Sequence, residues 1–216
     1  MSKAPRFVIY VYDGVEPVDL GATYGTLSMA RRICPEIQVT IVADKAGPVV
    51  LASGMTVIAE HGFDACPASD YLIISGGPGW PEQAHRPEVA AFIREQAANT
   101  VVTSVCTGAM ILAETGLLNG LTATTKSNVS GGETSPMELL ASTHPDIYVV
   151  GALVVDTGAI VTGGGVTLAI DTTLHLLARS LGQDMAEETA RIMEYDEAWR
   201  ANRRARRTVK AQNATS

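Results

Sequence analysis

The sequence predicts an α/β protein built on a doubly wound parallel sheet, and three observations carry that expectation. Nearly continuous apolar runs recur at residues 6–12 (RFVIYVY), 71–75 (YLIIS) and 101–105 (VVTSV), the pattern of strands buried on both faces. Segments with helical spacing follow them, and alternation of this kind favours parallel strands joined by right-handed crossovers. The 216 residues, 46% hydrophobic and 18% charged, suit one large core and exclude a disordered chain.

The elements follow in order. After the first strand, Asp13-Gly14 marks a turn and Pro17 suits the first turn of a helix. Leu20, Tyr24, Leu27 and Ala30 keep helical spacing up to Cys34-Pro35. Residues 38–43 read as a second strand, and residues 49–58 as a short hairpin around Ser53-Gly54 that projects from the main sheet. Residues 71–75 run straight into GGPGW, and residues 88–98 are helical by the spacing of Val89, Phe92 and Ile93. Beyond Gly116 the reading is a strand at 121–125 and a short helix at 136–142. A strand pair at 148–155 and 159–162 is joined by Asp156-Thr157-Gly158. After Gly163-Gly164-Gly165, residues 166–181 form a long buried helix and residues 187–207 a last amphipathic one. We expect a single domain over residues 1–200 and a basic helix end and frayed tail over 201–216.

The net charge of −7 is uneven: residues 1–199 carry −13, and the six bases from Arg200 to Lys210 carry +6. An acidic body is a poor match for nucleic acid, and the basic tail reads as a solvated helix end. No apolar stretch has the length to span a membrane, and the opening MSKAPRF lacks a signal-peptide core, so a soluble cytoplasmic protein is expected. Cys34, Cys66 and Cys106 are odd in number and lack metal-ligand spacing, which argues against a disulfide framework or a zinc site. GGPGW is no dinucleotide fingerprint, and GGGV lacks the spacing and lysine of a phosphate-binding loop.

The chemistry is concentrated in residues 101–116, VVTSVCTGAMILAETG, where a β-branched strand changes to helical period at Cys106. A thiol at that turn faces the open end of a parallel strand, and Gly108 leaves room for a tight backbone path. The amide-rich helix start favours the thiol's anion, so a thiolate near neutral pH is expected. Gly76-Gly77 and Gly163–Gly165 end neighbouring strands, and the amides of Gly76, Gly77 and Thr107 are candidate donors to developing negative charge. Asp19 and Glu16 are the acids near the end of the first strand. Either one, if it faces Cys106, is a candidate proton shuttle, and Asp19 is the better placed. His61, His85, His144 and His175 lack the context of a catalytic base.

Together VEPVDLGATYGTL, ISGGPG, SVCTGAMILAETGLLNG, ATTKS and VTGGGVTLAID resemble the ThiJ/PfpI superfamily, and within it most nearly the isocyanide hydratases, from about Arg6 to Tyr195. The resemblance implies a flavodoxin-like α/β sandwich, a homodimer, and no metal or organic cofactor. It implies that Cys106 is the nucleophile, Asp19 its carboxylate partner, and Thr107 a holder of water or substrate through its hydroxyl and amide. It further implies that Gly77 supplies a backbone donor and that the Gly163–Gly165 turn, with Gly164 at its centre, lines the pocket. Where such relatives have Thr-Thr-His-Trp this chain has Thr124-Thr125-Lys126-Ser127, which places Lys126 at the pocket and disfavours His-assisted hydrolysis. The expected activity is hydration of an organic isocyanide, a small-molecule substrate, to an N-substituted formamide through a thioimidate on Cys106. The alternatives are a glyoxalase or deglycase type of enzyme acting on reactive aldehydes, and a non-enzymatic ligand or redox sensor using Cys106.

Overall fold

A computed structural model describes residues 4–210. Strand β1 (Arg6–Tyr10) leads to helix α1 (Pro17–Ala30), which Pro17 opens and Glu16 caps, its carboxylate accepting the Val18 N–H at 3.4 Å. Strand β2 (Gln38–Val42) returns to pair with β1, and β3 (Gly47–Val50) with β4 (Thr56–Ala59) forms a separate antiparallel hairpin. Next come β5 (Tyr71–Ile74), the short α2 (Trp80–Ala84), α3 (Pro87–Ala97), β6 (Val101–Ser104) and α4 (Gly108–Glu114). A small parallel pair, β7 (Thr122–Ala123) and β8 (Tyr148–Val149), encloses α5 (Pro136–Thr143), whose start is fixed by a reciprocal cap between Ser135 and Glu138. The chain finishes with β9 (Val154–Asp156), β10 (Ile160–Gly163), α6 (Leu168–Leu181), α7 (Gln183–Ile192), α8 (Asp196–Ala205) and β11 (Thr208–Lys210).

Strands β2, β1, β5, β6 and β10 lie side by side in that order and all parallel, which is the flavodoxin-like succession. Beyond β10, β9 is antiparallel and β11 runs beside it. Helices α1, α6 and α7 pack on one another, as do α2, α3 and α4, giving the two helical layers of a sandwich. Ile9, Ile73, Val102 and Val161 are fully buried in the sheet between them, each worth roughly 2 kcal/mol relative to exposure. Tyr10 is paired with Ile74, Ile74 with Ser104, and Ser104 with Thr162, so four parallel strands end level with one another. Their following loops therefore meet at one edge of the sheet, beside the switch in strand order between β1 and β5.

Three departures from the sequence reading have local causes. The last helix divides in two, because Glu194 takes φ +54 while the Tyr195 N–H bonds the Ala190 carbonyl and the Glu194 N–H bonds the Arg191 carbonyl. That is a helix-ending closure usually signalled by glycine, here made by glutamate. The basic tail is not frayed throughout: Thr208–Lys210 extends the sheet next to β9, and residues 211–216 lie outside the described residues. The strand read at 121–125 shrinks to Thr122–Ala123, since Thr124 and Thr125 turn to bond Thr162, Ala152 and Cys106.

Candidate active site

Cys106 sits between β6 and α4 with φ +54, a left-handed conformation that costs a residue other than glycine roughly 1–2 kcal/mol. Its surroundings hold it there. The Cys106 N–H donates to the Gly164 carbonyl at 3.1 Å, and the Cys106 carbonyl accepts from Thr125 Oγ1 at 2.7 Å. A Cβ on Gly108 would lie 2.3 Å from the Ile74 carbonyl oxygen, so α4 reaches β5 only because that residue has no side chain.

Helix α1 carries Asp19 inward, fully buried, toward the thiol. Gly76 lies between the two. A Cβ there would be 2.6 Å from Cys106 Cβ, 2.7 Å from the Thr107 nitrogen and 2.8 Å from Asp19 Oδ2. Glu16 is occupied as the cap of α1, so of the two acids it is Asp19 that meets the sulfur. Neither Asp19 oxygen makes a hydrogen bond of full geometry, yet the Cys106 thiol and the Val166 N–H both favour its charged form.

Burial dominates the electrostatics. It raises the Asp19 carboxyl to about 7, against the Cys106 thiol, the Val166 N–H and the charge of Lys126, with Glu16 adding to the rise. Burial likewise pushes the Cys106 thiol up to about 12, the negative charge of Asp19 adding to it, while the N–H groups of Val166 and Thr107 oppose. The direction is opposite to the free thiolate expected from the helix start. Cys106 is 3% exposed, and the helix start does not offset its desolvation beside a carboxylate. What the fold provides is a sulfur whose burial favours its protonated form, next to a carboxyl group that burial raises to about 7.

A cavity of about 500 Å³ opens over this pair. Trp80, Val129 and Leu139 give it apolar walls, while Lys126, Glu16 and Glu133 bring charge to it. Thr107 and Gly77 also line it, but they are engaged with each other: the Gly77 N–H donates to Thr107 Oγ1 at 2.9 Å, and that hydroxyl faces the Gly77 carbonyl at 3.4 Å. Gly76 and Gly164 stand behind the lining. The expectation that the glycine turn faces the pocket is corrected, because Gly164 acts through its carbonyl on the Cys106 backbone and its N–H on Leu153. The residue of that turn which does line the cavity is Val166, at φ +56, and its N–H is turned to the Cys106 and Asp19 pair. Nothing in the sequence marks it, for a valine after three glycines reads as a helix start. None of the four histidines lines the cavity; His175 is bound to Asp156 at 2.8 Å and His144 to Glu114 at 3.3 Å. Among the described residues no group of three or more His, Cys, Asp or Glu is arranged to hold a metal ion.

Fold and site together define a class: doubly wound α/β proteins with a cysteine at a strand-to-helix elbow and a carboxylate beside it from the first crossover. Residues 5–179 match the DJ-1/PfpI family, and the chain belongs to it. It is 31% identical over 191 residues to the isonitrile hydratase of Pseudomonas putida, covering 86% of this chain and 76% of that protein. It is 26% identical over 151 residues to the HTH-type transcriptional regulator CdhR of Pseudomonas aeruginosa, covering 69% of this chain and 43% of the regulator. The crystal structure of a THiJ/PfpI family protein from Pseudomonas syringae shares the fold with a TM-score of 0.74 at 28% identity, over 89% of this chain and 76% of that one.

Proposed function

We propose that the protein hydrates an organic isocyanide to an N-substituted formamide. The observation that carries this reading is the buried juxtaposition of Cys106 and Asp19 under a small cavity, and the similarity to an isonitrile hydratase supports it. An isocyanide carbon must gain both a proton and a nucleophile, and a protonated thiol beside a carboxylate supplies the two together. Asp19 takes the thiol proton and passes it to the terminal carbon as the sulfur bonds the same atom, giving a thioimidate, R–N=CH–S–Cys106. Asp19, ionised again, then takes a proton from an attacking water. The nitrogen is protonated, the C–S bond breaks, the sulfur regains its proton, and R–NH–CHO leaves. One isocyanide and one water give one formamide, with no oxidation or reduction.

The test is to incubate purified protein with a simple alkyl isocyanide and follow formamide by mass spectrometry between pH 5 and 9. Turnover that disappears in Cys106→Ser is the expected result; its absence at every pH overturns the reading. Lactate formed from methylglyoxal in its place would assign the pair to aldehyde chemistry. The likeness to a transcriptional regulator supports a second reading as a ligand-sensing module, for which a small molecule would raise thermal stability without being consumed.

The homodimer is part of the same proposal. An apolar groove along α1, α6 and α7 includes Gly21, Gly25, Met29 and Ile170, and Val18 beside it is 43% exposed. Cytoplasmic placement is proposed from the three free cysteines. No helix among the described residues is long and apolar enough to cross a membrane.

A further inference from the structure

Among the described residues Lys126 is the sole cation lining the Cys106 cavity. Lys126 makes no ion pair among the described residues. Its position is built. Thr125, one residue before it, is bonded to the Cys106 carbonyl at 2.7 Å, and a Cβ on Gly165 would lie 2.8 Å from both Cβ and Cγ of Lys126. Gly165 thus lets the stem of the side chain lie flat against the turn that carries Val166. At the far end Nζ donates one hydrogen bond to the Asn128 carbonyl, which leaves two of its three N–H bonds for a ligand. The charge is felt at the reacting pair, since Lys126 favours the ionised form of Asp19.

The other charged lining residues point to the number of negative charges the site accepts. Glu16 caps α1, and Glu133 is exposed on the loop before α5. Among the described residues Lys126 is the one charged group of this lining that attracts an anion, and the two carboxylates penalise a second anionic group on the ligand.

We propose that Lys126 determines substrate specificity by binding a carboxylate, so that the preferred substrates are isocyanides bearing one carboxylate near the reacting carbon, the α-isocyano carboxylates. This rests on the hydratase reading. The ammonium takes the carboxylate at the mouth, and the isocyano carbon then points inward to Cys106 and Asp19.

The experiment measures kcat/KM for isocyanoacetate and for its neutral methyl ester, in the wild type and in Lys126→Met, which keeps the stem that packs on Gly165. An exposed-to-half-buried charge pair is worth roughly 1 kcal/mol, so the wild type should favour the carboxylate by about fivefold and the ratio should fall to about one or below in the variant. Any change that Lys126→Met makes in Asp19 affects both substrates and cancels in the ratio. If both compounds are turned over with no preference for the carboxylate, or if the preference survives in Lys126→Met, the inference fails while the hydratase reading stands. If neither is turned over while a simple alkyl isocyanide is, the inference fails; if no isocyanide is turned over, the hydratase reading fails. Cys106 alkylation by iodoacetate and iodoacetamide, followed by mass spectrometry of its peptide, then decides the inference. A rate ratio favouring iodoacetate more in the wild type than in Lys126→Met upholds anion binding at Lys126, and an unchanged ratio overturns it.

Discussion

A methyl group on Gly76 would stand 2.6 Å from Cys106 Cβ, closer than two carbons approach without displacement, and the same point is 2.8 Å from Asp19 Oδ2. The bare backbone of Gly76 is therefore what lets the thiol and the carboxylate share one buried space. Gly76→Ala should fold, at a cost of about 1–3 kcal/mol, and should lower kcat/KM by about tenfold to a hundredfold, because the pair is pushed apart. Urea denaturation and isocyanide turnover on the same preparation check the two halves of this expectation.

The reaction needs Asp19 ionised to accept the thiol proton, and burial holds its carboxyl at about 7. The rate should therefore rise between pH 6 and 8 with an apparent pKa near that value. It should not fall again by pH 9, because the thiol lies at about 12. Asp19→Asn keeps the shape, loses the proton carrier, and should lower kcat/KM by about 10²–10⁴-fold at every pH. A pH–rate profile that peaks and falls below pH 8 would contradict this assignment.

Asp19 also links stability to pH, with the sign opposite to that of a salt-bridged carboxylate. Its folded pKa lies above the ordinary value of 3.8, so the native state holds a proton that the unfolded chain has released. The stabilisation is complete below pH 4 and is lost as pH rises through 7. Asp19→Asn has no carboxylate to ionise and should be more stable than the wild type at pH 8, by about 2–4 kcal/mol relative to the difference at pH 4. Urea midpoints of both proteins at the two pH values measure it.

Gly21 and Gly25 leave the outer face of α1 low, with nothing within 4 Å of a Cβ added at either position. The proposed homodimer uses this face. Light scattering should give twice the 22.7 kDa chain mass for the wild type and the single-chain mass for Gly25→Arg, a change that raises helix propensity while blocking close approach. A dimer that persists in Gly25→Arg would place the interface elsewhere.

The parallel sheet and the elbow were legible in the sequence because each depends on neighbours in the chain. The change from β-branched to helical period at Cys106 is a local signal, and so is the glycine two residues later that a close approach of α4 to β5 requires. The sequence preferred Asp19 to Glu16 but did not settle which of them meets the sulfur. Both acids stand at the start of one helix, and only its rotation and packing turn Asp19 inward and leave Glu16 on the cap. Val166 and Glu194 gave no sign either, since residues of their types seldom hold positive φ and the contacts that hold them there are distant in sequence.

The sequence by itself determined the α/β class with its parallel core strands, the family, and the cysteine at the strand-to-helix turn. The tertiary structure decided which acid meets that sulfur, that Lys126 borders the cavity without an ion pair among the described residues, that Thr208–Lys210 joins the sheet, and that burial beside Asp19 works against the thiolate. The reason is physical: periodicity and turn chemistry act between residues a few positions apart, whereas desolvation is a sum over every group that excludes water from an atom. For Cys106 those groups come from α1, the loops after β5 and β10, and its own elbow, and they become neighbours only when the chain has folded.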